Sequence, residues 1–199
     1  QGLFDVAMLS SVPGITVYSP ATYEELRKTL YESIYHQTGV CCVRYPRGGE
    51  GKLPAGFAPD EAWSVRSISP KSPRKKLGLV TYGKETVQVC KAAEQLKEQG
   101  VAVSVLKLLR LLPFPEDSLR PLMGCDAILF VEEGIQSGGI GQMFGEKLLE
   151  RQYRGEYRIL AVDNRFVEQA STDRALALTG LDAASIVRTC QTWLGIAAD

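Results

Sequence analysis

Histidine is nearly absent from the sequence: His36 is the only one among 199 residues. A zinc site built from several histidine ligands is therefore excluded, and any acid–base step that needs an imidazole of this chain has only that residue. His36 lies near the end of a predicted helix, where a cationic side chain interacts favourably with the helix dipole. A local role is therefore favoured over catalysis.

An excess of charge of one sign is also lacking, since 23 Lys+Arg balance 23 Asp+Glu. This balance argues against a dedicated nucleic-acid or membrane-surface binder. No apolar run approaches the ~18 residues that a transmembrane helix needs. The small basic cluster within residues 71–76 has no aromatic platform beside it, so a solvated linker tip is favoured over a phosphate or RNA site.

Paired-cysteine motifs and two common catalytic motifs are missing as well. The five cysteines are odd in number and form no Cys-x-x-Cys pair, which is typical of reduced thiols and predicts a cytoplasmic protein. No Gly-x-Ser-x-Gly nucleophile elbow and no Walker phosphate loop occur. The sequence therefore gives no sign of a serine hydrolase or a P-loop nucleotide hydrolase.

What the sequence does contain is a regular alternation of short apolar runs and amphipathic segments from Leu77 onward. This alternation predicts an α/β fold with three α/β/α layers, in which helices cover both faces of a mostly parallel sheet. Residues 49–76 are rich in proline and glycine and are predicted to be a linker. The chain then divides into a small α/β unit over residues 1–48 and a C-terminal domain over residues 77–199.

The first unit is predicted to contain a strand, a helix and a second strand. The helix begins either at Ser19-Pro20 or one turn later, where Thr22 and Glu25 form a capping box. Spacings of three and four residues place four apolar side chains on one face of this helix. These side chains are Tyr23, Leu26, Leu30 and Ile34.

The segment Gly138-Gly139-Ile140-Gly141 lies between a predicted strand and a predicted helix. Such a loop can present backbone N–H groups to an anion, but it lacks the third glycine of a dinucleotide fingerprint because residue 144 is Phe. A tight turn that lets helix and strand pack closely is therefore favoured over phosphate binding. Glu132 and Glu133 end the same strand and point to opposite sides, so helix-terminal charge or an interface pair is favoured over a shared proton.

The segment Arg44-Tyr45-Pro46-Arg47-Gly48 carries the strongest local indication of a binding site. Arg47 lies just past the carboxyl end of a predicted strand, the side on which open α/β sheets bind ligands. A guanidinium there can form a bidentate pair with a phosphate group. The alternative is a salt bridge to a neighbouring domain.

Several motifs resemble a known family of enzymes. Gln1–Asp5, Val12–Gly14 and Val43-Arg-Tyr-Pro-Arg-Gly48 resemble the later part of the pyrimidine-binding domain of the 1-deoxy-D-xylulose-5-phosphate synthases. Downstream, other segments resemble the C-terminal domain that is shared across the transketolase superfamily. These are Thr81–Gly83, Val131–Gly134, Gly138–Gly141 and Gly180–Ala184.

The resemblance implies a transferase that uses thiamine diphosphate and Mg²⁺. The family joins pyruvate, after loss of carbon dioxide, to glyceraldehyde 3-phosphate, and so supplies isoprenoid and thiamine synthesis; the cofactor holds the reactive chemistry. Arg47 matches the family's arginine that binds the phosphate of the aldehyde. The resemblance assigns no catalytic residue and no metal ligand to this chain, and it implies a homodimer.

The family's Gly-Asp-Gly…Asn motif, which binds diphosphate and Mg²⁺, and its cofactor-activating glutamate have no counterpart in this sequence. We therefore expect a C-terminal fragment that is inactive and binds no cofactor by itself, with the N-terminal diphosphate-binding region as its partner. With their sheet neighbours missing, residues 1–48 are expected to be mobile or paired with another copy.

One segment departs from the family pattern, and two other functions stay open. Glu168 and Ala170 stand where many relatives have the Pro and Gly of Pro-His-Gly or Pro-Gln-Gly. The first alternative is the C-terminal subunit of a split transketolase or a protein like the 2-oxoacid dehydrogenase β subunit. The second is a non-catalytic dimerisation module whose apolar faces serve assembly. The Tyr-Pro-Arg-Gly context of Arg47 favours the synthase.

Overall fold

The computed structural model describes residues 2–46 and 48–196. The strands are β1 (Thr16–Tyr18), β2 (Cys41–Val43), β3 (Trp63–Ile68), β4 (Lys75–Tyr82), β5 (Val101–Leu108), β6 (Arg110–Leu112), β7 (Ala127–Ile135) and β8 (Glu156–Val162). The α-helices are α1 (Asp5–Leu9), α2 (Tyr23–Tyr35), α3 (Thr86–Glu98), α4 (Ile140–Glu150), α5 (Thr172–Thr179) and α6 (Ala183–Leu194). Short 3₁₀ helices span Gly83–Glu85 and Glu116–Leu122. Within the described residues no helix has the length and apolarity that crossing a bilayer requires.

The larger sheet has the strand order β3-β5-β4-β7-β8, and its strand pairs are parallel except for β3 with β5. Side chains alternate along β4: Leu77 and Leu79 pack with α3 and α6, whereas Val80 and Tyr82 pack with α4. Helices therefore cover both faces of a mostly parallel sheet. The predicted α/β class is confirmed, and buried strands of this kind explain why their sequences are apolar almost throughout.

Residues 49–76, predicted as a linker, contain a strand of this sheet. β3 runs antiparallel to β5, with Trp63 opposite Leu108 and Ile68 opposite Val103. β3 has only one sheet neighbour, and most of its side chains are partly exposed. An edge strand of this kind needs no apolar run, which is why the sequence pattern gave only a weak indication of it.

A second, smaller sheet has the order β2-β1-β6, with β2 parallel and β6 antiparallel to β1. Only Leu109 separates β6 from β5, so consecutive strands of one apolar run enter different sheets. The carbonyl oxygen of Ala62 accepts hydrogen bonds from the N–H groups of Leu109 (2.9 Å) and Arg110 (3.0 Å), which fixes this bend. A stretch predicted within the C-terminal domain thus completes the N-terminal sheet.

Helix α2 begins at the later of its two predicted starts. Thr22 Oγ1 accepts a hydrogen bond from the Glu25 N–H (3.1 Å), and the Glu25 carboxylate accepts one from the Ala21 N–H (2.7 Å). The predicted apolar face of α2 is largely exposed. Tyr23 is 58% exposed and Ile34 is 68% exposed. The residues that α2 buries are Glu25 and Thr29, because the helix packs its polar side against the rest of the chain.

Candidate functional site

The carboxyl ends of β4 and β7 lie side by side where the topology of the larger sheet reverses. The chain passes from β4 to β5 on one side, and then returns across β4 to β7 and β8 on the other. Open α/β sheets bind their ligands at such a switch point. In this structure α1 and the end of β2 lie against this place, so the residues at the switch point contact the N-terminal unit.

Arg44 contributes to that contact through its hydrogen bond to Glu133. Its Nε donates to Asp5 Oδ2 (2.9 Å), and its Nη2 donates to the carbonyl oxygens of Gly2 (3.0 Å) and Glu133 (2.9 Å). The guanidinium also lies 5.6 Å from the centre of the Tyr82 ring. The donors of Arg44 are thus used to join the first unit to the C-terminal domain.

Glu132 is linked to this network through the Tyr82 hydroxyl. The Tyr82 hydroxyl donates to Glu132 Oε2 (2.9 Å), and the N–H groups of Ile140 (3.2 Å) and Gly141 (3.0 Å) donate to the same carboxylate. The side chain is fully buried. Burial raises the pKa of Glu132, while these hydrogen bonds oppose the rise. The predicted role as a helix-terminal charge is confirmed for Glu132, since it occupies the N-terminus of α4.

The glycines before α4 make room for that carboxylate. A Cβ atom at Gly139 would lie 2.5 Å from Glu132 Oε1, and one at Gly141 would lie 3.0 Å from it. The predicted tight turn is therefore observed, and its glycines leave room for the Glu132 carboxylate of the same chain. An external phosphate at this helix N-terminus would have to displace Glu132.

A cavity of about 360 Å³ lies beside this junction, between the start of α2, residues 45, 46 and 48–50, and the turn after β4. Its walls are mostly apolar, with two tyrosines and two charged side chains at the edges. The side chains that define it are Tyr23, Leu26, Tyr45, Pro46, Glu50 and Lys84. A cavity of this size accommodates a small organic molecule with a polar end.

Arg47, the predicted phosphate-binding residue, lies outside the described residues. Its two sequence neighbours are described, and both Pro46 and Gly48 line the cavity. Gly48 has a φ of +101°, a backbone conformation that favours glycine. Phosphate binding by Arg47 stays a prediction, now associated with a cavity formed by its neighbours.

His36 is exposed at the C-terminal end of α2, with its ring 5.3 Å from that of Tyr31. This position agrees with a local role. Among residues 2–46 and 48–196, no group of three or more His, Cys, Asp or Glu side chains is placed to hold a metal ion. All five cysteines are unpaired.

Sequence reasoning missed a buried ion pair between Lys107 of β5 and Glu25 of α2. Both side chains are almost completely buried, and burial lowers the pKa of Lys107 to about 8. The available signal was a single lysine inside the apolar run Val105-Leu106-Lys107-Leu108, since a lysine in such a strand needs a partner. Nothing in the sequence identified Glu25 as that partner.

The family defined by the transketolase C-terminal domain matches residues 67–186. The chain belongs to this family. The match contains β4, β5, β7 and β8 with α3, α4 and α5. It begins at the end of β3 and ends within the first turn of α6.

Full-length relatives extend the similarity into the first unit. The chain is 30% identical over 190 residues to the 1-deoxy-D-xylulose-5-phosphate synthase of Synechococcus sp. (strain JA-3-3Ab), covering 94% of this chain and 29% of that protein. For the synthase of Corynebacterium glutamicum the identity is 28%, with 98% of this chain and 32% of that protein covered. The chain therefore spans about a third of the length of these relatives.

A similar solved structure is a split-gene transketolase, described as an inactive β4 tetramer. It has a TM-score of 0.83 and 25% identity, and the match covers 98% of this chain and 63% of that chain. The similarity includes the N-terminal unit as well as the C-terminal domain, because nearly all of this chain is superposed.

Proposed function

We propose that this chain is the C-terminal part of a thiamine-diphosphate-dependent 1-deoxy-D-xylulose-5-phosphate synthase, acting on pyruvate and glyceraldehyde 3-phosphate. The observation that carries the proposal is similarity to these synthases along 94% of the chain, including its first unit. The segment Val43-Arg-Tyr-Pro-Arg-Gly48 adds support, since it is the synthase-like motif and its residues Tyr45, Pro46 and Gly48 line the cavity.

The described residues do not fit thiamine diphosphate and Mg²⁺ by themselves. The strongest anion-binding candidate among them, the N-terminus of α4, already holds the Glu132 carboxylate. No metal-ligating cluster occurs among residues 2–46 and 48–196. We therefore assign the cofactor to the N-terminal diphosphate-binding region of the enzyme and expect this chain to be inactive alone.

In this proposal Arg47 binds the phosphate of the aldehyde substrate. The cavity formed by its neighbours offers apolar walls for a three-carbon body, and a guanidinium suits a phosphate because it can donate two parallel hydrogen bonds. Residues 1–48, 49–76 and 77–199 then act as part of the pyrimidine-binding domain, a connector and the transketolase-like domain.

The test is to supply the missing region. The chain, with and without the protein segment encoded upstream of it, is assayed for carbon dioxide release from pyruvate and for 1-deoxyxylulose 5-phosphate. We expect turnover only when the upstream segment is present, and an Arg47→Gln variant that raises the KM for glyceraldehyde 3-phosphate by about tenfold. Turnover by the chain alone would contradict the proposal.

A second candidate is the C-terminal subunit of a split transketolase. The structural similarity to the split-gene transketolase, which covers 98% of this chain, favours it. The same assay separates the two functions. A transketolase would transfer a two-carbon ketol unit between sugar phosphates, would not decarboxylate pyruvate, and would depend on a partner encoded by a separate gene.

We also propose that the protein works in the cytoplasm as a homodimer. Free thiols in all five cysteines support a reducing compartment. The exposed face of α2 supports assembly, because Tyr31, Ile34 and Tyr35 are each more than half exposed on a helix that buries only Glu25 and Thr29. Apolar side chains grouped in this way mark interaction surfaces. Sedimentation of the wild-type chain and of an Ile34→Asp variant tests the contribution of this face.

A further inference from the structure

Lys84 reaches the cavity from the C-terminal domain. It lies in the 3₁₀ turn Gly83–Glu85, directly after β4. Gly83 has a φ of +59°, and a Cβ atom there would lie only 2.7 Å from Ser19 Oγ. Glycine is therefore required for the turn to approach Ser19, and this approach places Lys84 against residues 48–50 of the other unit.

The ammonium group of Lys84 lacks a counter-ion in the described part of the chain, where its Nζ takes part in none of the observed salt bridges or side-chain hydrogen bonds. It comes within 3.7 Å of the position that a Cβ atom would take at Gly48. Among the described residues that line the cavity it is the one cation. The cavity's carboxylate, Glu50, instead accepts a hydrogen bond from the Tyr23 N–H (3.2 Å).

The next residue, Glu85, is buried, and its burial together with the nearby Glu133 and Asp182 raises its carboxyl pKa well above the ordinary value. Burial therefore disfavours a negative charge beside Lys84. Opposite the ammonium group, Leu26, Ala21 and Pro46 supply apolar wall. The cavity thus has a positive edge and an apolar body.

We propose that Lys84 binds the phosphate end of a small phosphomonoester in this cavity. The inference rests on the proposed function for the location of the substrate, and it adds a binding residue from the C-terminal domain. That domain would then contribute directly to substrate affinity. A lysine ammonium suits this role, since it forms charge-assisted hydrogen bonds with phosphate oxygens.

The experiment measures binding of glycerol 3-phosphate to the whole chain by calorimetry at two salt concentrations, with glycerol as the uncharged comparison. Lys84→Gln is expected to raise the Kd about tenfold and to reduce its salt dependence, whereas Lys84→Arg stays near wild type. Lys91→Gln is the matched control, because Lys91 is an exposed lysine on α3 that does not line the cavity. Circular dichroism confirms that each variant is folded.

Three results would overturn the inference: unchanged affinity in Lys84→Gln, an equal loss in Lys91→Gln, or no binding by the wild-type chain. Arg47→Gln separates this inference from the proposed function. Loss of binding in Arg47→Gln with full binding in Lys84→Gln would reject the role of Lys84 and leave that of Arg47. The opposite pattern would keep Lys84 and reject Arg47 as the phosphate ligand. The enzyme assignment itself is judged by turnover with the upstream segment.

Discussion

Helices α2 and α3 both have 13 residues and both have an apolar face, yet they use that face in opposite ways. α3 buries its apolar side chains, with Val89 and Leu96 fully inaccessible, whereas α2 turns Ile34 and its neighbours outward. Within the described chain, α2 is held by polar contacts instead. Amphipathic spacing therefore predicts that a helix has an apolar face. Whether another element of the same chain covers that face depends on the surrounding structure.

The same contrast distinguishes the two units. The larger sheet encloses apolar cores on both of its faces. The N-terminal unit contributes Val6, Ile15 and Val17 to one of these cores and adds two polar attachments, the Lys107–Glu25 ion pair and the Arg44 network. A buried ion pair stabilises the attachment only when both of its charged side chains are present, because burying an unpaired charge costs free energy. Truncating a buried apolar side chain lowers the free energy of unfolding in proportion to the volume that is removed.

The largest expected effect comes from truncating matched positions on the two helices. Leu96→Ala on α3 removes a fully buried side chain and is expected to lower the free energy of unfolding by about 4 kcal/mol. Ile34→Ala on α2 should change it by less than about 0.5 kcal/mol, since Ile34 is 68% exposed. Urea denaturation of the isolated chain measures both, and equal losses would show that α2 is packed like α3.

Removing one member of the buried ion pair should have the next largest effect. Lys107→Met leaves the Glu25 carboxylate buried without its cation and is expected to cost about 3 kcal/mol. Adding Glu25→Gln should restore most of this loss, because the neutral amide can still accept the hydrogen bond from Ala21. Thermal unfolding of the wild-type chain, the single variant and the double variant tests this, and a double variant as unstable as the single one would contradict it.

Hydrogen exchange compares the two sheets directly. We expect the free energy of the opening that exposes the backbone amides to be about 2 kcal/mol lower for β1 and β2 than for β4 and β5. The reason is that the side chains of β2 are all partly exposed, while most of those of β4 are buried. Equal protection of the two sheets, measured by mass spectrometry, would mean that the units open together.

The smallest expected effect is a pH dependence at the junction. The folded-state pKa of Glu85 is raised, so folding favours its protonated form, and stability is lost as pH rises from the unfolded pKa towards the folded one. Glu85→Gln stays neutral and should melt at a higher temperature than wild type at about pH 8, with the difference shrinking towards about pH 5.

Glu94→Gln provides a control of opposite sign. The hydrogen bond from Arg66 lowers the pKa of Glu94, so the stability that Glu94 contributes is present above its unfolded pKa and lost as pH falls. Glu94→Gln should therefore melt slightly below wild type at about pH 8. If Glu85→Gln behaves like Glu94→Gln, the buried carboxyl is charged in the folded chain.

The sequence predicted the parts of the fold whose residues obey a strong local pattern. β4, α3 and α6 carry continuous apolar runs or regular helical spacing, and the structure contains each of them. β3 and β6 were missed because an edge strand has a mixed composition and the bend at Leu109 has no glycine or proline to mark it. The exposure of the apolar face of α2 could not be predicted, because helical spacing specifies a face but not the element that packs against it.

The candidate site was predictable only in part for a related reason. Position in the chain and residue type identified the segment around Arg47, since both are local properties. Arg44 contacts Asp5 and Glu133, which lie 39 and 89 residues away in sequence, and one sequence contains no sign of such pairings. Lys84 lines the cavity because Gly83 lies close to Ser19, and this contact also joins residues that are far apart in the sequence.

The bend at Leu109 has a practical consequence for dividing this protein. Because β6 continues directly from β5, a proteolytic nick in the irregular segment between β2 and β3 would leave the N-terminal piece hydrogen-bonded to a strand supplied by the other piece. A gene interrupted at that segment would likewise encode halves that recognise each other through main-chain pairing, as in fragment complementation. A single cut after Leu112 would not separate the halves either, because β4 before that cut pairs with β7 after it.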